Sequence, residues 1–197
     1  MTYKEISAVL ALVFLGMAYI PYCWGMVRGS IKPHMFSWLI WGILTGVVAA
    51  AQLSEGGGLG AWIAVLDAVI PLGIAVFAFK KDTVVITRGD WIAFISALLI
   101  LPLWLITSNP LYAVILASTI DVLIFYPTAR KSWHQPHEEG LGLFIVAIFK
   151  LCFMLLSLSV HNLVTVLYPL ALMTANVLFI SMLLWRRRVV APPSKQL

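Results

Sequence analysis

In 197 residues the chain carries 62% hydrophobic and 11% charged side chains, with a mean hydropathy of +1.00 and a formal net charge of +5. This excludes a water-soluble domain, because a core of that size cannot hide so much apolar surface. The basic residues stand in short clusters between apolar runs, which makes the charge a signal of membrane topology and gives no support to nucleic-acid binding.

Seven apolar runs are long enough to cross a hydrocarbon core roughly 30 Å thick. They fall at about 6–27, 35–53, 60–79, 90–107, 110–129, 140–159 and 163–185, with short connections. The expected class is an all-α integral membrane protein. Segment 1 lacks a small-residue cleavage site and is expected to be retained rather than removed as a signal peptide.

Segment 1 ends in Tyr19-Ile20-Pro21-Tyr22 and runs on through Arg28, Lys32, Pro33 and His34. Segment 5 ends in Phe125-Tyr126-Pro127-Thr128 and runs on through Arg130, Lys131, Pro136 and His137, at an offset of 106 residues. The same offset carries Lys80 at the end of segment 3 onto Arg186 at the end of segment 7. A duplicated three-helix unit is expected: two parallel three-helix repeats over 1–82 and 109–188, joined by a linker helix over 83–108, with a tail over 189–197. A proline inside a helix removes a donor and kinks it, so Pro21 and Pro127 are either a symmetric pair of hinges or simple helix ends. Pro33 and Pro136 suit the first turns of segments 2 and 6, and Glu138 and Glu139 the positive end of segment 6.

In segment 2, Gly42, Gly46 and Ala50 recur every four residues and form a smooth face. It fits either helix packing within the bundle or the seam of a homo-oligomer. Glu55-Gly56-Gly57-Gly58 then reads as a flexible turn. Of the thirteen Lys and Arg, only Lys4 falls on the N-terminal side of the membrane. Lys150 lies inside segment 6, and the rest fall on the opposite side, predicting the N-terminus outside and the C-terminus in the cytoplasm. Trp24, Trp38, Trp91, Trp133 and Trp185 near one membrane face and Trp62 and Trp104 near the other agree, as interfacial anchors.

Three ionisable residues remain at membrane depth: Asp67 in segment 3, Asp121 in segment 5 and Lys150 in segment 6. A charge there costs on the order of 2.5–3.5 kcal/mol on insertion scales, so each is expected to face the interior and find a partner. Asp121 and Lys150 sit at matching depth and are the expected pair, either a static bridge or part of a polar pocket or of a proton-linked switch in which protonating Asp121 or Asp67 releases Lys150. Thr45, Ser118, Thr119, Thr174 and Asn176 lie at similar depth, and Trp41, one turn deeper than Trp38, fits either helix packing or a cavity lining. Serine and threonine in such helices also bond their own backbone carbonyls. Cys23 and Cys152 have no vicinal partner, and His34, His134, His137 and His161 fall in loops or at helix ends without metal spacing. No metal, cofactor or catalytic constellation is expected.

The proline-ended helix with its short basic loop, duplicated in a three-plus-one-plus-three order, resembles the PQ-loop and SWEET superfamily of membrane transporters. The residue after each proline, where that family has Gln, is here Tyr22 or Thr128. The stretch from Arg28 to Trp41 and on to Gly57 is also similar to small bacterial inner-membrane proteins. The resemblance implies a small polar solute, such as a sugar, an amino acid or a vitamin precursor, moved by alternating access around Asp67, Asp121, Lys150, Thr174, Asn176, Thr45 and Trp41. It puts Asn176 near the pocket asparagine of the sugar-transporting branch. The same fold also serves receptors and sorting proteins that bind without transporting.

Overall fold

The structure, a computed structural model, describes residues 1–31, 33, 35–79, 88–137 and 141–190, without the side chains of residues 89, 90, 93, 101, 125–128 and 131. The described residues form α-helices joined by turns and contain no strand. In chain order the helices are α1 (Tyr3–Val27), α2 (Met35–Ser54), α3 (Gly58–Phe79), α4 (Arg88–Thr107), α5 (Pro110–His134), α6 (Gly142–Ser157) and α7 (Leu163–Val189). Four of them, α1, α2, α3 and α7, are long and apolar enough by themselves to cross a membrane.

Local chemistry sets several helix ends. Thr2 and Glu5 close a reciprocal capping box at the start of α1, and Asn162 and Thr165 close another at the start of α7. Arg186, Arg187 and Arg188 occupy the last turn of α7, where cations suit the negative end of the helix dipole. α5 continues through position 127 to His134, five residues beyond its expected end. Pro136 therefore does not open α6. It lies buried in the turn after α5, its carbonyl accepting from Arg187 Nε at 2.9 Å, and α6 begins only at Gly142. Pro33 precedes α2 by two residues. Lys32, Lys80, Glu138 and Glu139 lie outside the described residues.

Helices that follow one another in the chain are not always neighbours in space. α1 packs on α3 and α6, and α6 packs on α1, α7 and α3. The helix contacts map onto themselves when α1, α2 and α3 are exchanged with α5, α6 and α7. α1 against α3 becomes α5 against α7, and α2 against α3 becomes α6 against α7. α1 against α6 becomes α2 against α5, and α3 against α6 becomes α2 against α7. α4 stands outside the exchange, packed on α5 and α2.

Leu44, Val48, Ile100 and Val114 are buried where α2, α4 and α5 meet. Ala11, Ala49, Ala64 and Met154 fill a tighter contact among α1, α2, α3 and α6. Gly42 faces α3 so closely that a Cβ would stand 2.6 Å from the Leu72 side chain, and a Cβ on Gly46 would meet Ala68 at 3.9 Å. Two residues of the smooth face are thus used inside the bundle, while Ala50 is exposed. On the outside of the bundle Val13, Met17, Ile20, Trp24 and Val27 form a continuous exposed stripe along α1. Apolar residues at that helical spacing suit contact with lipid rather than water.

Candidate functional site

A charged cluster sits between the helices at mid-length. Lys150 Nζ, from α6, lies 2.5 Å from Asp67 Oδ2 on α3. The other oxygen of Asp67 accepts from the Tyr19 hydroxyl of α1 at 2.9 Å. Asp121 on α5 accepts from the Tyr168 hydroxyl of α7 at 2.6 Å, and Trp41 of α2 lines the same cavity beside it. Each carboxylate thus receives a tyrosine from within its own half of the chain, and Asp67 also receives a lysine from a helix of the other half.

The expected Asp121–Lys150 pair is not formed. α5 and α6 are consecutive, but α6 packs against α1 and α3, so its lysine is delivered to Asp67. Depth along the helix is readable from sequence, whereas the choice between two acids at similar depth depends on which helices touch.

The cluster borders a cavity of about 360 Å³. Trp41, Thr45, Asp67, Asp121, Lys150 and Asn176 all line it, together with Tyr19, Tyr168 and an apolar wall that includes Ile124, Phe144 and Leu172. A second cavity of about 470 Å³ shares Tyr19, Trp41, Leu143, Ala147 and Lys150 with the first. It reaches Tyr22, Ser37 and Trp38, where α1 ends and α2 begins. Trp38 Nε1 donates to the Tyr22 hydroxyl at 3.0 Å along its wall. The path from the charged cluster leads toward that end of the bundle.

Thr174 takes no part. It is exposed, because α7 turns Tyr168, Leu172 and Asn176 inward at intervals of four and leaves position 174 on the opposite side. Thr45 donates to its own helix at the Trp41 carbonyl, Ser118 to Val114 at 2.7 Å and Thr119 to Ile115 at 2.8 Å. Asn176 Nδ2 bonds the Leu172 carbonyl at 2.7 Å, which leaves its amide oxygen for a ligand. Pro21 is exposed on α1, in a surface depression with Ile20, Cys23, Trp24 and Val27, away from the charged cavity. Position 127 is helical, and its side chain lies outside the described residues.

At the opposite end of the bundle the α2–α3 turn is tied to the α6–α7 turn. Ser159 N donates to the Gly57 carbonyl at 2.9 Å and Asn162 Nδ2 to Glu55 Oε2 at 2.6 Å. The Glu55–Gly58 segment is therefore a fitted contact rather than a free turn. Gly56 and Gly58 have φ of 72° and 64°, in the left-handed region, and a Cβ on Gly58 would stand 2.0 Å from Ser159 Oγ. One helical turn further in, Pro169 has no N–H to give the Thr165 carbonyl, and Gln52 Nε2 takes that place at 2.7 Å. Gln52 Oε1 is buried without a hydrogen-bond partner.

Tyr19, Tyr168 and Gln52 are the site residues that sequence reasoning missed. The available signal was a polar tip on a mid-helix residue, since a buried Tyr hydroxyl needs a partner. Comparison with protein-family models, curated proteins and solved structures finds no match, so function has to be read from this geometry.

Proposed function

We propose that the chain is a membrane transporter of a small polar solute that works by alternating access around the Asp67–Lys150 and Asp121 cluster. In this reading all seven helices span the membrane as two parallel three-helix repeats about the linker α4, in the SWEET-like manner. The exchange-symmetric helix contacts support that arrangement. The carrying observation is the asymmetry of the two ends: a cavity extends from the charged cluster toward one end, while the other is tied by the Gly57–Ser159 and Glu55–Asn162 contacts. With the basic side in the cytoplasm of a bacterial-type inner membrane, the cavity faces inward and the tied end faces out.

The transport step is a rocking of α1–α3 against α5–α7, flexed near Pro21 and Pro127. The outer turns separate while the cytoplasmic mouth around Tyr22 and Trp38 closes. Lys150 with Asp67 bridges the two halves at the depth where such a motion pivots. A solute that replaces one of these partners changes how firmly the halves are joined.

The test is uptake of labelled glucose, alanine and choline by proteoliposomes containing the purified chain, against protein-free liposomes. Time-dependent accumulation of one class, lost in Lys150→Met, is expected. Saturable binding with no uptake of any bound solute would replace transport with a receptor role.

A further inference from the structure

We infer that the solute carries a positive charge, and that Asp121 is the group that receives it: the cavity is built for a small organic ammonium ion. This rests on the transport reading for the direction of movement but not for the site itself.

The electrostatics of the lining carry the inference. Asp67 is already served, by the Lys150 ammonium at 2.5 Å and the Tyr19 hydroxyl at 2.9 Å. Asp121, 8% exposed and lining the same cavity, has no cation within salt-bridge distance among the described residues. Its hydrogen-bond partner, the Tyr168 hydroxyl, is a donor. A donor suits an ionised carboxylate, which can only accept, but it brings no countercharge. With both carboxylates ionised, one ammonium leaves the cavity one negative charge in excess. A carboxylate at membrane depth calls for a partner of opposite sign, and the open space beside it is where that partner can sit.

The rest of the lining narrows the chemistry. One unshared carboxylate with aromatic neighbours offers too few oxygens for a divalent metal, which takes six or more oxygen ligands or keeps several waters. Tyr19, Trp41 and Tyr168 supply aromatic rings, which attract alkylammonium groups across their faces. Ile124, Phe144 and Leu172 give an apolar wall for a compact hydrocarbon body. The Asn176 amide oxygen adds an acceptor for one N–H or O–H. A neutral sugar would leave Asp121 without its countercharge, and an anionic solute would be repelled.

The experiment measures binding of choline and phenethylamine to the full chain in lipid nanodiscs, beside 3,3-dimethyl-1-butanol, the uncharged carbon isostere of choline. Choline or phenethylamine is expected to bind, with the butanol weaker by at least about tenfold. Asp121→Asn should lose the binding and Asp121→Glu should retain part of it. If Asp121→Asn does not fold, the comparison of choline with its isostere on the unaltered chain still decides. Equal binding of the two isosteres, binding unchanged in a folded Asp121→Asn, or binding of neither amine would overturn the inference. Glucose uptake by proteoliposomes that persists in Asp121→Asn would overturn it while leaving transport standing. Amine binding that depends on Asp121 without amine uptake would sustain the ammonium site and remove transport.

Discussion

Lys150 and Asp67 hold each other in a place where neither is tolerated alone. Their side chains are only 13% and 7% exposed, so removing one partner leaves a charge in low dielectric. Lys150→Met should destabilise the protein by about 3–5 kcal/mol, and adding Asp67→Asn should recover much of that loss. Denaturant unfolding of the two single variants and the double variant in detergent checks the coupling. Tyr168→Phe withdraws a donor from a carboxylate and should cost about 1.5–3 kcal/mol on the same assay. That Asp67, Asp121 and Lys150 belong to an interior site was legible from their depth alone, because charge at that depth has nowhere else to go. Which acid the lysine meets was not legible, and neither was the use of Tyr19 and Tyr168, since a tyrosine's sequence context does not say where its hydroxyl points.

Among the elements, the proposed motion turns on the tied end and on the prolines. Gly58→Ala puts a Cβ where Ser159 already stands, on a backbone with positive φ, and should loosen the contact between the two turns. Faster amide hydrogen exchange over 157–162 than in the unaltered protein is the expected readout. Pro21→Ala with Pro127→Ala should abolish solute uptake while leaving expression and helix content intact; undiminished uptake in that variant would remove the hinge. The helices were legible as apolar runs, and most boundaries lie within a few residues of the expected ones. Exceptions have local causes: α5 runs on through position 127, and the Pro136 carbonyl is held by Arg187 rather than starting α6. The Glu55–Gly58 turn looked flexible because glycine permits motion, but here its missing side chains allow close approach to Ser159.

For the whole molecule, the basic bias predicts that a green fluorescent protein fused to the C-terminus will fluoresce in bacterial cells and that alkaline phosphatase fused there will be inactive. In the proposed transport cycle the tied end opens as the end around Tyr22 and Trp38 closes. It is tested most directly by distance measurement between spin labels on Leu59→Cys and Val160→Cys, both exposed positions flanking the outer tie, with Cys23 and Cys152 replaced. In lipid nanodiscs two distance populations are expected, a shorter one from the tied end and a longer one from the parted end, with choline changing their ratio. A single short distance, the same with and without choline, would contradict alternating access and leave a rigid ligand-binding bundle.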